Sequence, residues 1–433
     1  MRYLARAFLA GDPSIDGMVS RADETFGRKW RWVRSLARRF ANEFTGKTRP
    51  RFRDTLGFLA QDELLARALK RHDKSIQIVQ RVAGFHQMQP VAAAADWDVP
   101  RLSSVAELAA WLRMTPTEVE WFADLKHLQR KSLTAEELRN YHYRMEPKRS
   151  GGIRLIEAPK QRLKTIHRQI LSEILDRIPP HAAAHGFVRG RNIKTFAERH
   201  TGQQILLRLD LQDFFPSIRR ARVQAIFRTL GYPEPVADLL GGIVTTRTPR
   251  SVFRPVNHTN IAEMRALYEQ SHLPQGAPTS PALANACCYR LDCRLQGLAS
   301  AAGVEYTRYA DDLAFSGDTN FARNIQRFAA HVAAIVLEEG FAVNFRKTRT
   351  MRRSQQQHLA SLVVNERVNV NRTDFDRLKA TITNCIRNGP AAENRDLRSD
   401  FQAHLAGRIE FVRSINDRRG MQLRKLFDQI TWG

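Results

Sequence analysis

The stretch Tyr309-Ala310-Asp311-Asp312 places two adjacent carboxylates between two strand-like runs, residues 304–308 and 313–316. Like charges in one apolar setting repel each other unless a cation lies between them. Mg²⁺ suits a few hard carboxylate oxygens, because it keeps coordination positions open for water and phosphate oxygens. An Asp-Asp pair after a strand is more often a solvated hairpin turn, so this stretch alone leaves both interpretations open.

A metal site of this kind needs a third acid, and Asp210 is the best candidate. It ends the apolar run 205–209 and begins the stretch Asp210-Leu211-Gln212-Asp213-Phe214-Phe215. Strand, acid and turn therefore follow one another at this position as well. Backbone N–H groups near Asp213 and Phe214, at the junction of strand and turn, are placed to receive the oxygens of a triphosphate.

The charge of the chain predicts a polyanionic partner. Lysine and arginine number 69 against 44 aspartate and glutamate residues, which gives a formal net charge of +25 over 433 residues. No apolar run approaches the roughly 20 residues that a membrane-spanning helix needs, which favours nucleic acid over a membrane. A hydrophobic content of 43% predicts a folded chain of several structural units.

Cysteine usage favours a reducing compartment. Cys287, Cys288, Cys293 and Cys385 have no paired metal-ligand spacing, and we expect buried, reduced thiols. At the N-terminus, Arg6 interrupts an apolar run too short for the core of a signal peptide. We therefore expect an unprocessed, cytoplasmic protein.

Residues 1–100 are predicted to form a helical, basic N-terminal extension. Apolar residues at helical spacing predict one face of an amphipathic helix, with arginines over the rest. Two functions remain open for this helix: RNA binding, with Trp30 or Trp32 stacking on bases, or a surface helix that packs Trp30 inward. The residues of the apolar face are Phe26, Trp30, Val33, Leu36 and Ala37.

Helix and strand signals alternate over the next hundred residues. Residues 103–112 and 115–125 read as short helices, and Thr115-Pro116-Thr117-Glu118 is a capping box. Residues 141–145 and 153–159 alternate with period two about a turn at 148–152, which predicts a β-hairpin. A helix is expected from residue 163 to 178.

Two further stretches give these acids a context. They are Leu273-Pro274-Gln275-Gly276-Ala277-Pro278-Thr279-Ser280-Pro281 and Gly340-Phe341-Ala342-Val343-Asn344-Phe345-Arg346-Lys347-Thr348. Together with the two acidic stretches, and in this order, they resemble the palm of reverse transcriptases. The span from about Tyr141 onward resembles the retron branch of that family.

Two strings depart from the retron pattern. Retron enzymes carry Asn-Ala-x-x-His where this chain has Phe196-Ala197-Glu198-Arg199-His200. They carry Val-Thr-Gly where this chain has Leu359-Ala360-Ser361. Neither string supplies a metal ligand.

The resemblance implies an α+β, right-hand polymerase with fingers, palm and thumb behind the helical N-terminal extension. The implied division assigns residues 101–204 to the helical lead-in and fingers and residues 205–350 to the palm with an inserted fingers segment. Residues 351–433 would form the primer-grip region and a helical thumb.

The implied activity is RNA-directed DNA polymerisation. The enzyme would copy a dedicated structured non-coding RNA into DNA from dNTPs by two-metal nucleotidyl transfer, with two Mg²⁺ ions per active site. Asp210 and Asp311 would bridge the ions, the Leu211 carbonyl would complete one site, and Asp312 would be the weaker ligand. The family association adds bacterial anti-phage defence and an effector protein as a further partner.

The resemblance also implies roles for other residues. Arg154, Lys160 and Lys164 would clamp phosphates, Gln275 would contact the nucleotide, and Lys347 would lie near the leaving pyrophosphate. Phe215 matches a bulky gate against the ribose 2′-hydroxyl, although plain core packing is the alternative. Basic residues implied to contact RNA, for which a solvated basic face is the alternative, are Arg189, Arg191, Arg408, Arg413, Arg418 and Arg419.

Three rival functions remain. One is another defence-associated reverse transcriptase, or a group II intron-like enzyme, although few residues follow Asp312 for the extra domains of the latter. The second is a catalytically inactive RNA-binding scaffold, which the intact acids disfavour. The third is an RNA-dependent RNA polymerase, against which Phe215 and the 273–281 loop argue.

Overall fold

The computed structural model describes residues 1–45, 50–73, 75–80, 88–128, 139–147, 151–254 and 261–432. The chain divides into two compact units, and it passes between them more than once. The first unit contains Met1–Pro179 and Phe215–Cys287, and the second contains Pro180–Phe214 and Cys288–Gly433. The four-part division into extension, fingers, palm and thumb remains a proposal beside these two units.

Helices make up most of both units. In chain order, the α-helices of the described residues are Arg2–Leu9, Ile15–Phe26, Arg31–Phe44, Phe52–Gln61, Glu63–Arg71, Val105–Trp111, Pro116–Ala123, Gln161–Glu173, Ile193–Glu198, Phe214–Ser217, Arg220–Thr229, Glu234–Ile243, Ile261–Tyr268, Ser280–Ala301, Thr319–Glu338, Arg372–Asn388, Pro390–Glu393, Phe401–Ile415 and Asp417–Phe427. Short 3₁₀ helices occupy Ala92–Ala94, Leu175–Arg177 and Arg250–Phe253.

The strands fall into three antiparallel sheets. They are β1 Tyr141–Pro147, β2 Ile153–Pro159, β3 Ile205–Asp210, β4 Glu305–Tyr309, β5 Asp312–Gly317, β6 Arg349–Arg352, β7 His358–Leu359, β8 Leu362–Val363 and β9 Asn369–Val370. Strands β1 and β2 form the predicted hairpin of the first unit, and positions 148–150 of its predicted turn lie outside the described residues. The second unit contains a sheet of order β4-β5-β3-β6 and a smaller one of order β7-β8-β9.

The four-stranded sheet is the frame of the second unit. Strand β3 is apolar along nearly its whole length because residues on both of its faces are buried. The helix Thr319–Glu338 packs against β3 and β5. Its first turn is capped by the Asp318 carboxylate, which accepts hydrogen bonds from the N–H groups of Asn320 and Phe321.

The C-terminal helices of the second unit share one apolar core. Leu378 and Ile382 on one helix, and Leu405 and Ile409 on another, are all buried there. Each such side chain contributes about 1.5–3 kcal/mol through burial. The helix Asp417–Phe427 adds Leu423 to this core.

The N-terminal part of the first unit corrects one prediction. The predicted amphipathic helix is two helices, because Gly27 adopts a left-handed backbone (φ 64°) that ends Ile15–Phe26. The two helices nevertheless bury Phe26, Trp30 and Val33 in one core. Trp30 is only 6% exposed. Inward packing of Trp30 is therefore confirmed, and base stacking by this residue is excluded in this conformation. RNA binding by the arginines or by Trp32 stays a prediction.

Other local predictions are confirmed. Thr115 and Glu118 form the capping box of the helix Pro116–Ala123. The helix expected from residue 163 begins earlier, at Gln161, and gives way to a 3₁₀ turn after Glu173. Three of the four cysteines are buried, whereas Cys293 is exposed, contrary to expectation.

Among the described residues, none of the helices combines the length and the apolar character needed to cross a membrane.

Candidate active site

The two adjacent carboxylates lie at the connection of a β-hairpin in the second unit. Strands β4 and β5 pair antiparallel, with Tyr309 opposite Asp312. Ala310 takes a positive φ of 55°, which is uncommon for a residue with a side chain. We call residues 309–312 the acidic turn.

The third acid lies on the neighbouring strand. Strand β3 pairs with β5 so that Asp210 is opposite Asp312. The N–H of Leu211 donates to the Asp311 carbonyl over 2.8 Å, which joins the end of β3 to the acidic turn. The sequence-predicted acids Asp210, Asp311 and Asp312 are thus brought together at one edge of the sheet.

The three carboxylates differ in their surroundings. Burial, and then the nearby carboxylates of Asp312 and Asp210, raise the pKa of Asp311 to about 6. Burial also raises the pKa of Asp312, and the Arg208 guanidinium offsets part of that effect. Asp311 therefore bears the repulsion among the three acids most directly.

Two cations of the chain neutralise the other two acids. The Arg208 Nη2 donates to both carboxylate oxygens of Asp312, at 2.8 and 3.1 Å, and its Nε donates over 2.9 Å. The Lys347 Nζ lies 3.0 Å from each carboxylate oxygen of Asp210. Lys347 is held there by a turn in which the Asn344 N–H donates to the Asp210 carbonyl over 2.7 Å.

Sequence reasoning missed the role of Arg208. The signal was present, because Arg208 precedes Asp210 by two residues on a strand and so lies on the same face of the sheet. Lys347 was predicted to lie near the leaving pyrophosphate. In this structure its ammonium group contacts Asp210, and its role near the pyrophosphate stays a prediction.

The donor set suits a divalent cation, although no cation site is already assembled. Among the described residues, no group of three or more His, Cys, Asp or Glu side chains is arranged to hold a metal ion. Lys347 and Arg208 hold the carboxylates of Asp210 and Asp312 in ion pairs. A divalent cation would relieve the repulsion that raises the Asp311 pKa, and carboxylate oxygens are the ligands that Mg²⁺ prefers.

The residues directly after Asp210 form a sharp turn. Asp213 has a positive φ of 45°, and the helix Phe214–Ser217 begins at the next residue. Phe214 is buried and stacks on Phe341, with ring centroids 5.9 Å apart. Phe215 is only partly buried, so both its role as a gate and core packing remain open.

The first unit holds the remaining predicted nucleotide-binding residues. Arg154 is exposed on β2, opposite Glu146 across the hairpin. Lys160 precedes the helix Gln161–Glu173, whose first turn contains Lys164. The Gln275 carbonyl accepts a hydrogen bond from the N–H of Glu157 on β2 over 2.8 Å, so Gln275 borders the hairpin.

The predicted RNA-binding arginines differ in their exposure and in their contacts within the protein. Arg189, Arg413 and Arg418 are exposed, whereas Arg408 is partly buried. The Arg191 Nη1 donates to the backbone carbonyls of three residues, His181, Ala182 and Ala184. Arg419 donates to the Asn369 side chain and lies over the Phe375 ring at 4.9 Å. Arg191 and Arg419 therefore have structural contacts beside any RNA contact.

The two departures from the retron pattern have local explanations. Phe196 is fully buried, and its ring centroid lies 5.7 Å from that of Tyr309, so an apolar side chain fits there. Ala360 and Ser361 form the turn between β7 and β8 with φ of 45° and 71°, the left-handed conformation that glycine adopts most easily.

Comparison with known proteins supplies the family. The sequence model described as "Reverse transcriptase (RNA-dependent DNA polymerase)" matches residues 146–369. Retron Mx65 reverse transcriptase of Myxococcus xanthus is 41% identical over 292 residues, which are 67% of this chain and 65% of that protein. Retron Mx162 reverse transcriptase of the same organism is 35% identical over 397 residues, 84% of this chain and 77% of that protein. Retron Ec86 reverse transcriptase of Escherichia coli is 30% identical over 272 residues, 63% of this chain and 74% of that protein.

These matches and the mixed helix and sheet structure show the fold of the right-hand polymerases, which confirms the predicted fold class. The chain belongs to the reverse transcriptase family, and within it to the retron type. Members of this family generally use divalent metal ions. The chain spans 65% of the length of the Mx65 enzyme.

Proposed function

We propose that this protein is an RNA-directed DNA polymerase that copies a dedicated structured non-coding RNA into DNA. The observation that carries the proposal is the meeting of Asp210, Asp311 and Asp312 at one sheet edge in a chain of the retron type. An inactive scaffold would have no need to keep three mutually repelling carboxylates together, because such repulsion destabilises the fold.

Mg²⁺ is the proposed cofactor, with two ions per active site. Asp210 and Asp311 would hold both ions, the Leu211 carbonyl would complete one site, and Asp312 would ligate weakly because Arg208 engages it. When bound, the ions would supply charge neutralisation for attack of a primer hydroxyl on the α-phosphorus of a dNTP.

The chain's own residues would position the nucleotide. Arg154, Lys160 and Lys164 would bind the triphosphate with Gln275, and the N–H groups near Asp213 would receive its oxygens. As the new phosphodiester bond forms, the bond from the α-phosphorus to pyrophosphate breaks. Lys347, released from Asp210, would give a proton to that pyrophosphate.

The proposed partners follow from the charge and the relatives. Exposed arginines, among them Arg189, Arg413 and Arg418, would bind the RNA template, and the net charge of +25 supports such a polyanionic partner. A role in bacterial anti-phage defence, together with an effector protein, belongs to the same proposal. Four free cysteines among the described residues support a cytoplasmic location.

A primer-extension assay tests the activity. Purified protein, an RNA template with an annealed DNA primer and all four dNTPs should give extended DNA. Chelation with EDTA should stop the reaction, and added Mg²⁺ should restore it. A purified protein that binds RNA without extending any primer, or that extends with rNTPs in preference, would contradict the proposal. Sequencing the nucleic acid that co-purifies with the protein would identify the template.

The variant Phe215→Ala tests separately whether Phe215 acts as a gate against the ribose 2′-hydroxyl. If Phe215 excludes the 2′-hydroxyl, this change should raise ribonucleotide use relative to deoxyribonucleotide by about tenfold or more, which corresponds to about 1.4 kcal/mol of discrimination. Phe214→Ala is the matched control, because Phe214 is buried and should affect stability rather than sugar choice. Unchanged selectivity in a folded Phe215→Ala variant would assign Phe215 to packing.

A further inference from the structure

A fully buried ion pair lies directly before the acidic turn. Arg308, near the end of β4, donates from Nε and Nη2 to the two carboxylate oxygens of Asp292, at 2.7 and 2.6 Å. Asp292 belongs to the helix Ser280–Ala301, and both side chains are 0% exposed. The Tyr306 hydroxyl donates to the same carboxylate over 2.8 Å.

The third nitrogen of Arg308 reaches the acidic turn itself. Its Nη1 donates to the carbonyl oxygen of Ala310 over 3.1 Å. Ala310 immediately precedes Asp311 and has the positive φ of 55°. Such a backbone conformation is unfavourable for a residue with a side chain and persists only where neighbouring contacts hold it. Arg308 provides one of those contacts.

A loop of the second unit holds the turn from another side. The Arg308 N–H donates to the Ala183 carbonyl, and the Arg308 carbonyl accepts from the His185 N–H, each over 2.7 Å. A Cβ at Gly186 would lie only 2.5 Å from the Ala310 nitrogen, so this loop approaches the turn as closely as glycine allows. The backbone and side chain of Arg308 thus connect the helix Ser280–Ala301, the loop of residues 183–186 and the acidic turn.

We infer that Arg308 is a positioning residue for Asp311. Held by Asp292, its guanidinium fixes the Ala310 carbonyl and with it the backbone that presents the Asp311 carboxylate. Arginine is suited to this because its planar fork serves a carboxylate and a carbonyl at once, which a lysine ammonium cannot do in the same geometry. Stability alone does not explain the pair, since well-packed apolar residues are often as stable as a buried ion pair. The inference rests on the proposed function, in which Asp311 is a metal ligand.

The test separates positioning from folding. Arg308→Met alone would leave Asp292 buried without its partner and should lower Tm strongly. The triple variant Arg308→Met/Asp292→Leu/Tyr306→Phe removes both charges and the hydroxyl, so it should recover most of the Tm. Its kcat for dNTP incorporation should remain about 10–100-fold below wild type, because a displacement of about 1 Å at a reacting group has that effect. The dissociation constant for RNA should stay within twofold.

Tyr306→Phe is the matched control. It removes one hydrogen bond to the Asp292 carboxylate but leaves the contact between Arg308 and Ala310 in place. It should lower Tm slightly and keep kcat near the wild-type value. Recovery of both Tm and kcat in the triple variant would show that the pair serves the fold alone and would overturn the inference.

Arg308→Lys decides the question if the triple variant does not fold. Lysine keeps the charge beside Asp292 but lacks the nitrogen that reaches Ala310, so kcat should fall at least tenfold while Tm falls much less than in Arg308→Met. Wild-type kcat in Arg308→Lys, or loss of folding in this variant too, would overturn the inference. Failure of wild-type protein to extend any primer would instead refute the proposed function, so the two failures are distinguishable.

Discussion

Ion pairs in the four-stranded sheet and in the C-terminal helices of the second unit use charge differently. In the sheet region, Arg308 and Asp292 are 0% exposed, and the side chains of Arg208 and Asp312 are 25% and 17% exposed. In the helices, Arg372 and Asp376 are 87% and 59% exposed, and Arg413 and Asp417 are 50% and 65% exposed. Buried pairs fix geometry, whereas exposed pairs separate easily and leave their arginines available to another polyanion.

Among the variants that test this contrast, the largest expected effect concerns the acidic turn. Asp311→Asn keeps the shape of the side chain but removes the charge, so dNTP incorporation on a primed RNA should fall to background. RNA affinity should change little, because Asp311 is a proposed metal ligand rather than an RNA contact. Incorporation rates and RNA dissociation constants, measured on the same preparation, check this. Activity within a few-fold of wild type would contradict the metal assignment.

A smaller effect is expected for the arginine that holds Asp312. Arg208→Ala leaves a partly buried carboxylate next to two others, and it should lower the free energy of unfolding by about 2 kcal/mol. Arg372→Ala in the C-terminal helices is the matched control, because an exposed pair four residues apart contributes at most about 0.5 kcal/mol. Denaturant titrations of both variants test the contrast. Equal decreases in the free energy of unfolding would contradict the proposed difference between the two regions.

The hairpin around the acidic turn was predictable from the sequence, and the ion pair of Lys347 with Asp210 was not. Strand-like runs on both sides of Asp311 and Asp312 give a local signal, and the register that follows brings Asp210 opposite Asp312. The contact of Lys347 with Asp210 joins residues 137 positions apart, so it depends on tertiary structure that periodicity does not encode. Gly27 shows a different limit of prediction from the sequence. The helical spacing of apolar residues continues past position 27, but the left-handed backbone of Gly27 ends the helix there.

The basic surface was predictable from the sequence only in kind. Arginine density predicts a basic surface, but sequence does not distinguish an exposed Arg413 from an Arg191 whose guanidinium is hydrogen-bonded to backbone carbonyls. That distinction depends on the conformation of a loop, which local composition does not determine.

The smallest and most discriminating effect concerns RNA recognition by the C-terminal helices. Arg413 and Arg418 are exposed, whereas Arg419 also contacts Asn369 and Phe375. Replacing Arg413, Arg418 and Arg419 with alanine should weaken binding of the cognate RNA more than that of a random RNA of equal length, because RNA hairpins are recognised by shape as well as by charge. Affinities for both RNAs across a salt series measure this.

The salt series separates the two explanations within that experiment. Removal of purely electrostatic interactions weakens both RNAs alike and reduces the slope of log affinity against log salt by up to about 0.9 for each phosphate that is no longer neutralised. The double variant Arg413→Ala/Arg418→Ala is the control, since it leaves the structural contacts of Arg419 in place. A greater decrease in affinity for the cognate RNA in the double variant would show shape-specific recognition by exposed side chains. An equal decrease for both RNAs would show that these helices bind RNA through charge alone. The buried ion pairs of the sheet would then fix geometry, whereas the exposed arginines of the helices would act only through their charge.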